Sequence, residues 1–180
     1  MIGIRVFILF AVLLISGALR AGELTEPDGY RMENYRAPVP ASLAGATVLD
    51  DMGARALWET GAAVFIDVLP RAPKPKNLPE GTIWRDKARH SIPGAVWLVN
   101  VGYGAIAAET DAYFREGLAR ATEGDKTRPV VFFCLAECWM SWNAAKRALG
   151  YGYTSVHWYP DGTDGWTENH WETERIEPLP

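Results

Sequence analysis

The chain has 180 residues, 48% of them hydrophobic and 22% charged, with a formal charge of −4. That balance fits one compact domain with a real core and excludes a disordered tail or a fibre. No long stretch is strongly basic, which argues against nucleic acid as a partner.

Met1 to Ala21 carries Arg5, then the apolar run Val6 to Ile15, then Ser16, Gly17 and Ala18. This is the pattern of a secretory signal peptide, with cleavage expected after Ala18 or Ala21. The apolar run is well short of the roughly 20 residues of a spanning helix, so no permanent membrane anchor is expected. Removing Arg5 and Arg20 with the leader takes the charge from −4 to −6. Export to the periplasm would place the two cysteines in an oxidising compartment that favours pairing.

Residues 22–44 contain Pro27, Pro38 and Pro40 without a regular period, predicting an extended segment or lid. The domain proper is expected over 45–172. A short strand at Thr47 leads to a helix near 50–60, with acidic residues at its start and Gly61 at its end. Ala63 to Leu69 reads as a strand buried on both faces, with Asp67 near the carboxyl end, where ligands approach open α/β sheets. Pro70 to His90 is Pro-rich and cationic, and predicts a solvated loop.

A strand over Gly94 to Val99 and a helix over Asp111 to Thr122 follow. Pro129 to Cys134 is the most apolar strand, Ser141 to Leu149 a helix ended by Gly150, and Thr154 to Tyr159 a last strand. The glycines of Asp161-Gly-Thr-Asp-Gly165 predict a tight turn capped by Asp164, and 173–180 a tail. The alternation specifies a single α/β domain with a parallel sheet flanked by helices on both faces.

The chemistry is expected at Cys134 and Cys138, the two cysteines of the chain, in Val-Val-Phe-Phe-Cys-Leu-Ala-Glu-Cys-Trp. A thiol at the carboxyl end of a buried strand faces the unpaired N–H groups of the next helix, so Cys134 is predicted to be the thiolate and Cys138 its resolving partner. Four residues along a helical turn would put their Cα atoms roughly 6 Å apart, within reach of a reversible disulfide. Closing so small a loop would contribute only ~2 kcal/mol, which makes fold stabilisation a weak reason for the pair. An inert structural disulfide or two buried thiols is the plainer alternative.

Of eight tryptophans, Trp139, Trp142, Trp158, Trp166 and Trp171 cluster around this loop and the last strand. Most are expected in the core. Trp139, Trp142 and Trp166 are candidate cofactor-binding rings, Trp139 being the one expected to be partly exposed. Asp67, Ser141 and Asp164 are expected to support the site, Asp67 by bonding backbone near the cysteine loop. No metal site is expected: the two cysteines alone lack ligands, His157 and His170, which could in principle add to them, are expected as core or surface residues, and Asp161, Asp164 and Glu168 lack EF-hand spacing.

Three segments resemble a rhodanese-like domain over about residues 45–170: Phe65-Ile-Asp67-Val68, then His90-Ser-Ile-Pro93-Gly94-Ala95, then the strand ending at Cys134 with the helix and strand after it. In that family the cysteine heads a loop whose backbone N–H groups cradle the substrate. More narrowly, Cys134 to Trp166 is similar to an exported family named for a Cys-x-x-Cys-Trp motif and associated with PQQ-dependent alcohol catabolism. Here three residues separate the cysteines where that motif has two.

The narrower resemblance implies a periplasmic accessory protein of a PQQ-dependent alcohol oxidation system, with a thiol redox or cofactor-handling role. It implies an association with PQQ and a quinone-dependent dehydrogenase or cytochrome as partner. The residues themselves fix no cofactor. Two alternatives stay open: a thiosulfate-type sulfurtransferase with a Cys134 persulfide, and a noncatalytic binding or assembly module. A phosphatase is excluded, because the position six after Cys134 is Met140 and not an arginine able to fork around phosphate.

Overall fold

The structure, a computed structural model, describes residues 24–85 and 87–180; the expected signal peptide lies outside the described residues. Among the described residues, seven strands and four helices follow in the order β1 (Thr47–Val48), α1 (Asp51–Thr60), β2 (Val64–Asp67), β3 (Arg89–Ser91), β4 (Val96–Trp97), α2 (Ala108–Thr122), β5 (Val130–Phe133), α3 (Trp139–Gly150), β6 (Val156–Tyr159), α4 (Gly162–Glu168) and β7 (Glu174–Ile176). Five strands form one sheet in the order β1-β6-β5-β2-β4, and every pair in it is parallel. This is the α/β architecture that the strand and helix alternation predicts.

Period-two alternation divides the core between the two faces of the sheet. Val130 and Phe132 of β5 pack with Phe114 and Leu118 of α2 and with Trp142, Ala145 and Ala148 of α3. Val131 and Phe133, one residue out of phase, pack on the other face with Ala54 of α1 and Trp166 of α4. All four β5 side chains are therefore buried, as in a strand covered by helices on both sides.

Local chemistry sets the helix ends. The Asp50 carboxylate accepts from the Gly53 N–H at 2.7 Å, and Gly61 closes α1 in the left-handed region at φ 62. α2 begins at Ala108, three residues before the expected Asp111, and ends on Glu123 at φ 57. α3 begins at Trp139, because the loop after β5 is only long enough to make Cys138 the residue flanking the helix. Among the described residues no helix is long and apolar enough to cross a membrane.

Four sequence expectations are corrected by the structure. Arg89–Ser91, expected in a solvated loop, and Glu174–Ile176, expected in a tail, form an antiparallel two-stranded sheet. The Glu174 carboxylate also accepts from the Gly94 N–H at 2.6 Å. Asp161-Gly-Thr-Asp-Gly165, expected as a tight turn, opens α4, because the buried Trp166 anchors a helical turn on the core. The strand expected over Gly94 to Val99 is reduced to Val96–Trp97, since the chain turns at Gly94 (φ 79) and again at Asn100 (φ 63).

The extended N-terminal segment lies across α3. Asn143 holds it from both sides, accepting from the Arg31 N–H and donating to the Arg31 carbonyl, each at 2.9 Å. Lys146 donates to the Pro27 carbonyl and Trp142 Nε1 to the Ser42 carbonyl. Tyr35 to Ala37 then crosses the cysteine loop, where the Trp139 N–H donates to the Tyr35 carbonyl and the Ala37 N–H to the Glu137 carbonyl.

Candidate active site

β5 delivers Cys134 to the carboxyl edge of the sheet, and the loop Leu135-Ala136-Glu137 returns the chain to the head of α3 at Cys138. The turn is made by Glu137 in the left-handed region, at φ 50. The expected helical turn between the cysteines is absent: Cys138 is extended, at φ −115 and ψ 106. Both cysteines are buried free thiols, at 0% and 3% exposure.

The Cys134 carbonyl is the anchor of the loop. It accepts from the Thr163 N–H at 3.0 Å, from Thr163 Oγ1 at 3.2 Å and from Arg89 Nη2 at 3.5 Å. Gly162 makes this approach with φ +54, and a Cβ there would lie 2.5 Å from the same carbonyl oxygen. Asp164 adds a second tie, accepting from the Ala136 N–H at 3.1 Å.

Beneath the loop, Asp67 is fully buried. Its carboxylate accepts from Arg89 Nε at 2.7 Å, Ser91 Oγ at 2.5 Å and the Leu69 N–H at 2.9 Å. Asp67 therefore bonds one nearby backbone group, the Leu69 N–H, and reaches the cysteine loop itself through Arg89. Ser141 Oγ donates to the Cys138 carbonyl and accepts from Trp158 Nε1, both at 3.0 Å. These bonds fix the first turn of α3 against β6.

The surroundings of the two sulfurs differ. Burial pushes the Cys134 thiol up, and its hydrogen bond to Cys138 and the negative charge of Asp67 push the same way. Cys138 is lowered to about 7, first by the hydrogen bond it accepts from Cys134, and then, against burial, by the Met140 and Leu135 N–H groups and the charge of Arg36. The Met140 amide of the first turn of α3 and the Leu135 amide of the loop both donate toward the Cys138 sulfur. The sequence argument placed the thiolate at the strand end. The short loop brings the second cysteine, Cys138, onto the α3 N-terminus.

The three candidate ring sites are all interior. Trp139 is 2% exposed, a correction to its expected exposure: its indole packs edge-on to Trp142 and donates to the Pro38 carbonyl beneath the N-terminal segment. Trp142 and Trp166 are fully buried, and Trp166 Nε1 donates to the Glu172 carbonyl. None of the three offers a free face. His157 aligns with Val131 and so lies on the opposite face of the sheet from Cys134. Among the described residues no group of three or more His, Cys, Asp or Glu side chains is arranged to hold a metal.

Arg89, Thr163 and Arg36 are site residues that sequence reading passed over. Arg89 looked like one cation among several in a loop. The one available signal was its place directly before His90-Ser-Ile-Pro-Gly. Beside the loop, a cleft of ≈ 360 Å³ is lined by Leu69, Ala72, Lys87, His90, Trp97 and Leu135, among others.

Residues 54–169 match the family model of the rhodanese-like domain. No curated protein matches the chain. Among solved structures it is similar to the polysulfide-sulfur transferase homodimer from Wolinella succinogenes, at 18% identity over 73% of this chain and 80% of that one, with a TM-score of 0.47. It is also similar to the human single-domain sulfurtransferase TSTD1, at 23% identity over 68% and 96%, TM-score 0.41, and to wild-type EanB, at 19% over 80% and 34%, TM-score 0.48. The family match takes in β2 to α4 and the whole cysteine loop, more than half of the sequence, and the chain belongs to the rhodanese-like domain family.

Proposed function

We propose that this chain is a thiol enzyme of sulfur transfer in which Cys138 is the attacking thiolate and Cys134 the hydrogen-bond donor that stabilises it. One observation carries the reading: the Cys138 sulfur sits at the head of α3, faces the Leu135 and Met140 amides and accepts the Cys134 hydrogen bond, which together hold it at about 7. A thiolate so stabilised is the required nucleophile toward divalent sulfur. Membership of the rhodanese-like family supports sulfane sulfur as the transferred group.

A second reading is favoured by the contact between the two sulfurs themselves. Attack by Cys138 on a disulfide substrate, followed by attack of Cys134 on the mixed disulfide, would leave a Cys134–Cys138 disulfide and a reduced product. In either form the setting we propose is the periplasm, as an accessory to PQQ-dependent alcohol oxidation alongside a dehydrogenase or cytochrome. Support for that setting is the leader pattern of Met1 to Ala21 and the sequence similarity of Cys134 to Trp166.

The test is intact-mass and peptide mapping of the protein after thiosulfate, with Cys134→Ser and Cys138→Ser variants. Sulfur transfer expects one added sulfur atom on Cys138, kept in Cys134→Ser and lost in Cys138→Ser. A disulfide that opens and closes across a graded redox buffer, without a persulfide, selects the dithiol reading. Sulfur found on Cys134 alone would overturn the assignment of roles, and two unreactive thiols would leave a noncatalytic docking module.

A further inference from the structure

A thiol reacts only where a reagent can reach it, and neither cysteine is open in this structure, with Cys134 at 0% exposure and Cys138 at 3%. The cleft beside the loop is walled there by Leu135 and Arg89, and neither cysteine lines it. The cover differs on the two sides. One side is the core itself: Cys134 belongs to the same buried cluster as Ile66, Phe132 and Trp158, at the end of a strand paired along both edges. Uncovering that side means pulling the sheet apart.

The other cover is shallow. Tyr35 to Pro38 crosses the loop as a strap that lies outside the family-matched residues 54–169. It is joined to the loop and the head of α3 by the bridge of Arg36 with Cys138. The Trp139 N–H donates to the Tyr35 carbonyl at 2.9 Å, the Ala37 N–H to the Glu137 carbonyl at 3.0 Å and Trp139 Nε1 to the Pro38 carbonyl at 3.0 Å. No residue from Met32 to Val39 is fully buried. Firmer anchors flank the strap: Asn143 grips the Arg31 backbone, and Pro40 and Leu43 are buried. The chain enters it through Asn34 in the left-handed region, at φ 49. A segment with few buried contacts between fixed ends opens locally at low free energy, while the rest of the domain stays folded.

We infer that residues 33–38 are a gate over the cysteine loop. With its ends anchored, the strap lifts by local opening, and reagents and substrates reach Cys138 from that opened state. Closed, it keeps oxidants and unrelated thiols away from the pair. The inference concerns access alone and holds whichever sulfur attacks. Control over the thiols then lies in the N-terminal segment and not in the family fold.

The experiment follows iodoacetamide labelling of the full chain at one pH by intact mass and peptide mapping, across urea concentrations below the unfolding transition. A local gate labels Cys138 first, faster than the global unfolding equilibrium allows, at a rate nearly flat in urea because little surface opens. Tyr35→Ala removes the edge-on contact with Tyr103 and the side-chain hydrogen bonds to Met32 and Gly104. It is expected to raise that rate about tenfold. Phe65→Leu weakens the core on the opposite face of the sheet and is expected to leave the rate unchanged. A rate that climbs with urea in step with unfolding, or one that Phe65→Leu raises as much as Tyr35→Ala, would make global unfolding the route and overturn the gate. First labelling on Cys134, or parent labelling as fast as in the unfolded chain, would overturn it too. The urea dependence of the parent protein decides the matter even if Tyr35→Ala folds poorly.

Discussion

Replacing Asp67 by alanine is expected to be among the most damaging single changes near the site. The carboxylate is fully buried and accepts three hydrogen bonds, from Arg89, Ser91 and the Leu69 backbone, while the Arg89 side chain is only 8% exposed. Taking away the acceptor leaves a guanidinium in the interior without its counter-charge. Breaking a buried pair from one side costs about 3–5 kcal/mol, which for a domain of this size lowers the melting temperature by roughly 10 °C or more.

The damage should also reach the cysteine loop, because Arg89 is the link from Asp67 to the Cys134 carbonyl and Thr163. The assay is urea unfolding followed by tryptophan fluorescence, run beside an Asp67→Leu/Arg89→Met double variant. The double variant removes both charges and should recover much of the loss, since apolar replacement of a buried pair is often neutral. A loss below about 1 kcal/mol in Asp67→Ala, the range of an exposed pair, would refute the argument. A double variant no more stable than the single would refute the electrostatic part of it.

Alkylation of Cys138 should rise as pH climbs through about 7, because only the thiolate reacts. Cys134→Ala removes the largest cause of that lowering and should move the midpoint upward, as read by iodoacetamide rates against pH; an unmoved midpoint would deny the Cys134 hydrogen bond its role. Gly162→Ala places a Cβ 2.5 Å from the Cys134 carbonyl oxygen at φ +54, and should cost about 1–3 kcal/mol by the same unfolding assay. Trp139→Ala should destabilise by about 3–5 kcal/mol, since the ring is 2% exposed; a variant of parental stability with only a binding defect would restore the surface role that its burial removes.

The strands and helices that build the parallel sheet are legible in the sequence because their signals are local. A run such as Val130-Val-Phe-Phe133 can be buried only between two helical layers, and its alternating contacts divide between α2 and α3 on one face and α1 and α4 on the other. Asp50 ahead of α1 and Gly61 behind it mark helix ends through hydrogen bonds spanning a few residues. The placing of both cysteines in one strand-to-helix loop is legible for the same reason: they stand between a strand pattern and a helix pattern.

What the tertiary structure decided is non-local. Pairing of Arg89–Ser91 with Glu174–Ile176 joins segments more than eighty residues apart, neither long enough to show a period. The burial of Trp139 depends on the N-terminal segment lying over it, as does the approach of Arg36 to Cys138. The surroundings of each sulfur were also set there. Sequence spacing placed both cysteines near a helix start, but charge stability depends on where dipoles point and what lies within a few ångströms. Burial, with Asp67 adding to it, disfavours charge on Cys134, while the hydrogen bond from Cys134, the nearby amides and Arg36 favour it on Cys138.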